Sequence, residues 1–100
     1  MTLRPREQSR IAAEAVAVSA LAFLAGDEER LERFVALAGI DVGHIREIAG
    51  QPEFLAAVME HLMADETLLV AFAAGEGIRP EEVVRAAHAL GAGPWERDFA

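Results

Sequence analysis

The chain has 100 residues, 53% of them apolar, a formal net charge of −8 and no cysteine. Its length suits one domain with a single core, and the missing cysteines exclude disulfides, thiolate zinc sites and a cysteine nucleophile. The negative charge opposes non-specific binding to nucleic acid or anionic membranes, where Lys and Arg must neutralise phosphate. Because 21 residues are alanine, the composition favours short helices that pack closely.

The first predicted helix runs from about residue 5 to residue 25. Pro5 suits a first helical turn, and Gly26 suits the position just after a helix. A stripe of apolar residues at helical spacing is predicted to face the core, and it comprises Ile11, Ala15, Val18 and Ala22. Three further apolar residues lie close to this stripe, namely Ala12, Val16 and Phe23.

The apolar run over residues 15–25 allows two interpretations. It follows three arginines within the first ten residues, and residues 20–22 read Ala-Leu-Ala, as in a signal peptide with its cleavage site. At 11 residues the run is too short to span a bilayer. Against a signal peptide, Glu7 and Glu14 interrupt the basic region, and Leu24 and the residues after it belong to a segment that recurs at residues 62–78. A buried core helix is the preferred interpretation, and we expect a cytoplasmic protein that does not bind membranes.

The second and third helices are predicted from the cap and turn residues between residues 27 and 49. Asp27 suits an N-cap and Gly39 suits the end of the second helix. The side chains expected to face inward from this helix are Leu31, Phe34, Val35 and Ala38. Ile40 and Val42 are expected to anchor the following turn. The short third helix is expected to bury Ile45, Ile48 and Ala49.

The second half of the chain is predicted to hold three more helices, separated from the first half at Gly50 and Pro52. The fourth helix is expected to bury Phe54, Leu55, Val58, Met59 and Leu62. A break at Asp65 is either a helix end or a kink, because Ala64 replaces the glycine that precedes Asp27. The fifth helix is expected to bury Leu68, Leu69, Phe72 and Ala73, and to end at Gly75 and Gly77. The sixth opens at Pro80 and is expected to bury Val83, Ala87 and Leu90.

Residues 24–40 and 62–78 resemble each other at an offset of 38, which indicates an internal duplication. Nine positions are identical over residues 23–50 and their counterparts; they include Asp27 with Asp65, Phe34 with Phe72, and Gly39 with Gly77. The sequence therefore predicts an all-α, compact bundle of about six short helices with pseudo-twofold symmetry. We expect one helical domain over residues 1–91, with copies at about 16–50 and 54–88, and a C-terminal tail over residues 92–100.

The two Gly-Ile turns are similar to those of helix-turn-helix DNA-binding proteins. Such turns have a small residue four positions before the glycine and apolar residues six and nine positions after it. These positions are Ala73, Val83 and Ala86 around Gly77, and Val35, Ile45 and Ile48 around Gly39. Any tight corner between two helices has the same requirement. The helix after Gly77 also opens with Glu81 and Glu82, where contacts to phosphates and bases favour Arg or Asn.

The candidate chemical groups are few. His61 and Asp65 are four residues apart on a helix, next to Glu60 and Glu66, and two such ligands are the beginning of a metal site. No second histidine lies nearby in sequence, so a solvated helix face is the preferred interpretation. The hydroxyl side chains are Thr2, Ser9, Ser19 and Thr67, and none lies in a nucleophile motif. We expect no catalytic residue, no metal and no cofactor.

The tail contains Trp95, the only tryptophan, and Phe99, on a segment rich in Gly and Pro. One interpretation is that Trp95 folds back and covers the core, because burying a tryptophan is worth a few kcal/mol. The alternative is a short tail that docks on a partner, which makes Trp95 and Phe99 the candidate partner contacts. The packed tail is preferred.

The stretches "ALAFLAGDEERLERFVALAGI" and "PEFLAAVMEHLMADETLLVAFAAGEGI" resemble a family of small all-helical proteins of unknown function from alphaproteobacteria. The resemblance covers about residues 10–90 and rests mainly on packing and capping positions. It implies a cytoplasmic bacterial protein of one helical domain, and it brings no catalytic residue, ligand or partner with it.

Together, the residues favour a non-catalytic, cytoplasmic helical module that binds another protein, with a homodimer as one candidate assembly. No nucleic-acid or membrane partner is expected. Two alternatives stay open. One is a helix-turn-helix-like protein that binds DNA or takes part in transcription. The other is a small enzyme or metal-binding protein that uses carboxylates and His61.

Overall fold

A computed structural model of the protein describes residues 4–91. Within this range the chain forms six α-helices and one 3-10 turn, and no strand, which confirms the all-helical fold. The elements are α1 (Pro5–Ala25), α2 (Glu28–Ala38), a 3-10 turn (Val42–His44), α3 (Ile45–Ile48), α4 (Pro52–Met63), α5 (Glu66–Glu76) and α6 (Pro80–Ala89). The Cα radius of gyration is 13.3 Å, close to the value of about 13 Å for a compact domain of this length.

Local capping chemistry determines where the helices begin. Proline occupies the first turn of α1, α4 and α6, as predicted. The Asp27 carboxylate accepts hydrogen bonds from the backbone N–H groups of Glu29 and Arg30, at 3.0 and 3.2 Å. The Asp65 carboxylate accepts one from the N–H of Leu68 at 3.1 Å. The break at Asp65 is therefore a complete helix end followed by a new N-cap, not a kink.

Two glycines end α2 and α5 in the same way. Gly39 and Gly77 both have a φ of 70°, in the left-handed region that residues with a Cβ seldom adopt. Past each glycine the chain reverses, and the next isoleucine donates its N–H to a helix carbonyl: Ile40 to Val35 at 3.0 Å, and Ile78 to Ala73 at 3.1 Å. The prediction that Gly75 helps to end the fifth helix is wrong, because α5 continues to Glu76. Only the left-handed position at its end needs a glycine.

The core lies where α1, α4 and α6 meet. α1 packs mainly against α6 and α4 and, to a smaller extent, against α2, while α5 packs against α4 and α6. The largest fully buried side chains are Leu24, Phe34, Val58, Met59, Leu62, Phe72 and Val83. All five residues predicted to be buried in the fourth helix are buried in α4.

The predicted orientation of the first helix is wrong. Ile11 is 53% exposed and Val18 is 52% exposed, and Ala15 and Ala22 are also exposed. The buried residues of α1 lie on the opposite side, and they are Ala13, Ala17, Ala20 and Leu24. The physical reason is packing distance: the axial separation of two helices depends on the side chains at their contact, so an alanine-rich face brings α1 closer to α4 and α6.

Smaller differences concern the end of α2 and the segment after it. Ala38 is exposed instead of buried, and the buried residues of α2 are Phe34 and Val35. Val42 is 61% exposed and does not anchor the turn, whereas Ile40 packs against the core as predicted. Ile45, Ile48 and Ala49 are half-buried, since α3 has only four residues and packs mainly on the 3-10 turn.

The two halves share their local geometry at an offset of 38 residues, from the aspartate caps to the glycine ends. They differ in the third helix of each half, because α3 is one turn long whereas α6 has ten residues and packs on α1, α4 and α5. The internal duplication, with its boundaries at residues 16–50 and 54–88, therefore stays a prediction that the shared caps support.

Candidate functional site

Two surfaces of the described chain are candidates for function: an uncovered apolar face of α1, and a cleft between α2, α4 and α5. The apolar face consists of Ile11, Ala15, Val18 and Ala22, and we call it the outer face of α1. Its residues are spaced by four, three and four positions, which places them in one stripe along the helix. The buried stripe of α1 has the same spacing on the opposite side. α1 is thus apolar on two sides and covered on one.

Polar groups border the outer face. Arg10 and Glu14 form an ion pair at 3.9 Å along one edge. Arg4 and Glu7 lie seven and four residues before Ile11 and therefore near the same side of the helix, and Arg6 and Arg10 bring residues 4–10 to a net charge of +2. Beyond the other end of α1 come three exposed acidic residues, Asp27, Glu28 and Glu29. The outer face consequently runs from a basic end to an acidic end.

α1 is also the one helix within residues 4–91 that is long and apolar enough to cross a membrane, judged by length and composition. A core helix of a soluble protein and a signal sequence meet the same criterion. Here the buried stripe of α1 packs against α4 and α6. The structure therefore places α1 within the folded domain.

The cleft has a volume of about 260 Å³ and lies where α2 and α5 begin and α4 ends. Its charged and titratable lining residues are Asp27, Glu29, Arg30, Arg33, His61 and Asp65. The carboxylates of Asp27 and Asp65 both serve as helix caps. The Arg30 guanidinium lies 4.4 Å from the centroid of the Phe23 ring, a cation–π distance. These contacts give three of the six charged or titratable groups a structural role.

His61 lines the cleft with an imidazole whose pKa is displaced. Partial burial lowers the pKa of His61 because it disfavours the charged imidazolium; the Asp65 carboxylate opposes this shift, and the Arg33 guanidinium adds to it. The His61 ring also lies edge-on to the buried ring of Phe34, with 5.2 Å between the ring centroids. The neutral imidazole therefore contributes to packing at the rim of the core.

The structure brings together only part of the predicted metal-binding group. His61 and Asp65 line the same cleft, whereas Glu60 and Glu66 are not among its lining residues. His44 follows α2 and pairs with Asp41 at 3.6 Å, and His88 lies on α6. Within residues 4–91 no group of three or more His, Cys, Asp or Glu residues is arranged to hold a metal ion.

The positions that resemble a helix-turn-helix are packing positions. Ala73, Val83 and Ala86 around the Gly77 turn are buried. Around the Gly39 turn, Val35 is buried and Ile45 and Ile48 pack partly against the core. Each of these side chains has a role in the core, so the spacing is explained by packing of the helix corners. The candidate partner contacts in the tail, Trp95 and Phe99, lie outside the described residues.

The sequence signal of the outer face was present but ambiguous. Two stripes of α1 have the same helical spacing, and hydrophobicity alone favours the core for the stripe with the larger side chains, Ile11 and Val18. Side-chain size distinguishes the two stripes. Ala13, Ala17 and Ala20 permit the closest contact between helices, so their stripe is the one that is buried. The cleft was anticipated only through the pair of His61 and Asp65. The approach of Arg30 and Arg33 from α2 depends on tertiary packing and has no local signature.

Fold and surfaces define a small all-helical domain with an uncovered apolar helix face. The chain belongs to the family described as "Protein of unknown function (DUF3572)", whose model matches residues 10–93. The match includes most of α1 with its outer face, and all of α2 to α6. No curated protein and no solved structure matches the chain. The predicted resemblance to a family of unknown function is confirmed, and its restriction to alphaproteobacteria stays a prediction.

Proposed function

We propose that the protein is a non-catalytic helical module of the bacterial cytoplasm that binds another protein through the outer face of α1. One observation carries the proposal: Ile11 and Val18, two large apolar side chains on one helix face, are each more than half exposed. A contiguous exposed apolar patch is typical of an interaction site. Helices that present such a stripe are commonly bound by a groove or another helix.

The cleft supports a structural role better than catalysis. Its two aspartates cap helices, Arg30 lies on Phe23, and His61 packs on Phe34. The cytoplasmic location is supported by the position of α1 in the core. Cleavage after Ala22 deletes Ala13, Ala17 and Ala20, three buried members of the core cluster.

The test compares two matched variants of the full chain. Val18→Glu places a charge on the outer face of α1, and Val70→Glu makes the same change on α5, where Val70 is 46% exposed. Circular dichroism first establishes that both variants are folded. Tagged chains are then used to capture proteins from lysate of the source cells, and the captured proteins are identified by mass spectrometry.

We expect Val18→Glu to lose a protein that the unmodified chain and Val70→Glu both retain. If both variants retain the same proteins as the unmodified chain, the outer face of α1 is not the interaction surface. A catalytic or DNA-binding function gains support if the captured material depends on the cleft residues or consists of nucleic acid.

A further inference from the structure

We propose that the outer face of α1 binds the same face of a second copy of this chain, with the two helices antiparallel. This deepens the proposed function, on which it rests, by naming the partner. The first support is the order of side-chain sizes along the outer face. From Ile11 to Ala22 the order is large, small, large, small, and the spacing of four, three and four residues is the same in both directions.

An antiparallel pair centred between residues 16 and 17 places Ile11 level with Ala22 of the second copy. The same register places Val18 level with Ala15 of the second copy. Each large side chain then meets a small one, so that both helices approach closely and the side chains interdigitate. A parallel pair in register places Ile11 against Ile11 and Ala15 against Ala15, which leaves gaps beside the alanines. Packing therefore favours the antiparallel arrangement.

Charge is the second and independent support. Arg4, Arg6 and Arg10 lie near the N-terminus of α1 with one acidic residue, Glu7, among them, so three positive charges less one negative charge leave this end at +2. The last turn of α1 has no basic residue, and the acidic residues Glu28 and Glu29 follow it closely. Glu28 and Glu29 stand in the first turn of α2, where they suit the dipole of that helix, and they make the region beyond the C-terminal end of α1 acidic. In an antiparallel pair the basic end of each α1 lies beside the acidic end of the other, and opposite charges then attract between the copies.

A lipid surface fits these observations less well. The chain carries a net charge of −8, and the basic residues near the outer face are confined to one end. An anionic membrane attracts segments whose basic residues accompany the whole apolar face. A second copy of the chain buries the apolar stripe and also places opposite charges beside each other at its two ends.

Sedimentation velocity on the full chain over a concentration series tests self-association. Interfaces at the small end of the range, below about 1,200 Å² in total, belong to weak complexes, so we expect reversible dimers that form at about 10–100 µM. Val18→Glu should weaken the dimer at least tenfold, and the matched Val70→Glu should leave it unchanged. A chain that stays monomeric up to about 1 mM, or a dimer insensitive to Val18→Glu, overturns the inference.

Orientation is tested by disulfide trapping, which the absence of native cysteine makes specific. Ile11→Cys and Ala22→Cys are separated by 11 residues, about 16 Å along the helix. A mixture of the two variants should form a mixed disulfide dimer at least tenfold faster than either variant does alone. Faster trapping of Ile11→Cys with itself overturns the antiparallel register.

These outcomes separate the inference from the proposed function. A monomeric chain whose Val18→Glu variant loses a captured heterologous protein overturns the second copy as partner and leaves the interaction module intact. A dimer trapped in the antiparallel register supports both. A monomer that loses no captured protein through Val18→Glu overturns both.

Discussion

Phe23 packs against Phe72, with 5.4 Å between their ring centroids and 57° between the ring planes. His61 lies 38 positions after Phe23, and Phe34 lies 38 positions before Phe72. The contact between His61 and Phe34 at 5.2 Å is therefore the counterpart of the contact between Phe23 and Phe72. In each case a ring near the end of a first helix meets a buried phenylalanine of the other half. This exchange of partners is what a duplicated unit with pseudo-twofold symmetry predicts.

Replacing His61 with Phe, the residue at the corresponding position of the first half, should reduce the pH dependence of stability. Burial lowers the pKa of His61 in the folded protein below its ordinary value of about 6.5. The unfolded chain then binds more protons as the pH falls through this region, so the folded state loses stability below about pH 6.5. Urea unfolding of both proteins at pH 7.5 and pH 5.5 measures the effect.

The expected result is a smaller loss of unfolding free energy between the two pH values for His61→Phe than for the unmodified chain. The phenyl ring keeps the edge-on contact with Phe34, so the variant should stay folded at both pH values. Equal losses in the two proteins contradict the assignment of this pH dependence to His61.

Truncation of either central phenylalanine should destabilise the domain strongly. Phe34 is fully buried and Phe72 is 1% exposed, so Phe34→Ala and Phe72→Ala should each lower the unfolding free energy by about 3–5 kcal/mol. Leu37→Ala is the control on α2, because Leu37 is 73% exposed and should change stability by less than about 0.5 kcal/mol. If Phe34→Ala or Phe72→Ala lowers the unfolding free energy as little as Leu37→Ala does, the half of the chain that contains that phenylalanine contributes little to the core.

Duplex DNA should not bind the protein near physiological salt. The net charge of −8 repels phosphate, and the residues around the Gly39 and Gly77 turns are engaged in packing. Fluorescence anisotropy with a labelled duplex should show no association tighter than about 10⁻⁴ M. Micromolar binding that weakens steeply with added salt supports the helix-turn-helix alternative instead.

Trp95 tests the function of the tail, which lies outside the described residues. If the tail packs on the bundle, Trp95 fluorescence should be blue-shifted, and deletion of residues 92–100 should cost about 1–3 kcal/mol of stability. If the tail docks on a partner, the emission should resemble indole in water, and the deletion should abolish partner capture without changing thermal stability. We expect the packed tail.

Sequence patterns predicted most helix starts and ends, because these depend on a few adjacent residues. Pro5, Pro52 and Pro80 favour the first turn of a helix, and the Asp27 carboxylate accepts from N–H groups two and three residues later. The left-handed turn at Gly77 is likewise a property of one residue and its neighbours. Helix starts and ends of this kind can therefore be predicted from neighbouring residues, without knowledge of the tertiary structure.

Orientation of α1 could not be predicted in the same way. Both of its stripes are apolar and both have helical spacing, so periodicity does not distinguish Ala17 from Val18. The choice is made by α4 and α6, which approach α1 over alanines. For the cleft, the spacing of His61 and Asp65 was visible, whereas the arrival of Arg33 from another helix required the assembled bundle.

The packing of α1 has a consequence for how the protein folds while it is being synthesised. Its principal partner, α6, follows it after more than 50 intervening residues. At about 5–20 residues per second, a ribosome needs roughly 3–10 s to translate them. During that interval α2 and α4 can cover only part of the buried stripe of α1, because its main partner α6 has not yet been made. Completion of the core therefore waits for α6, the last helix of the described residues.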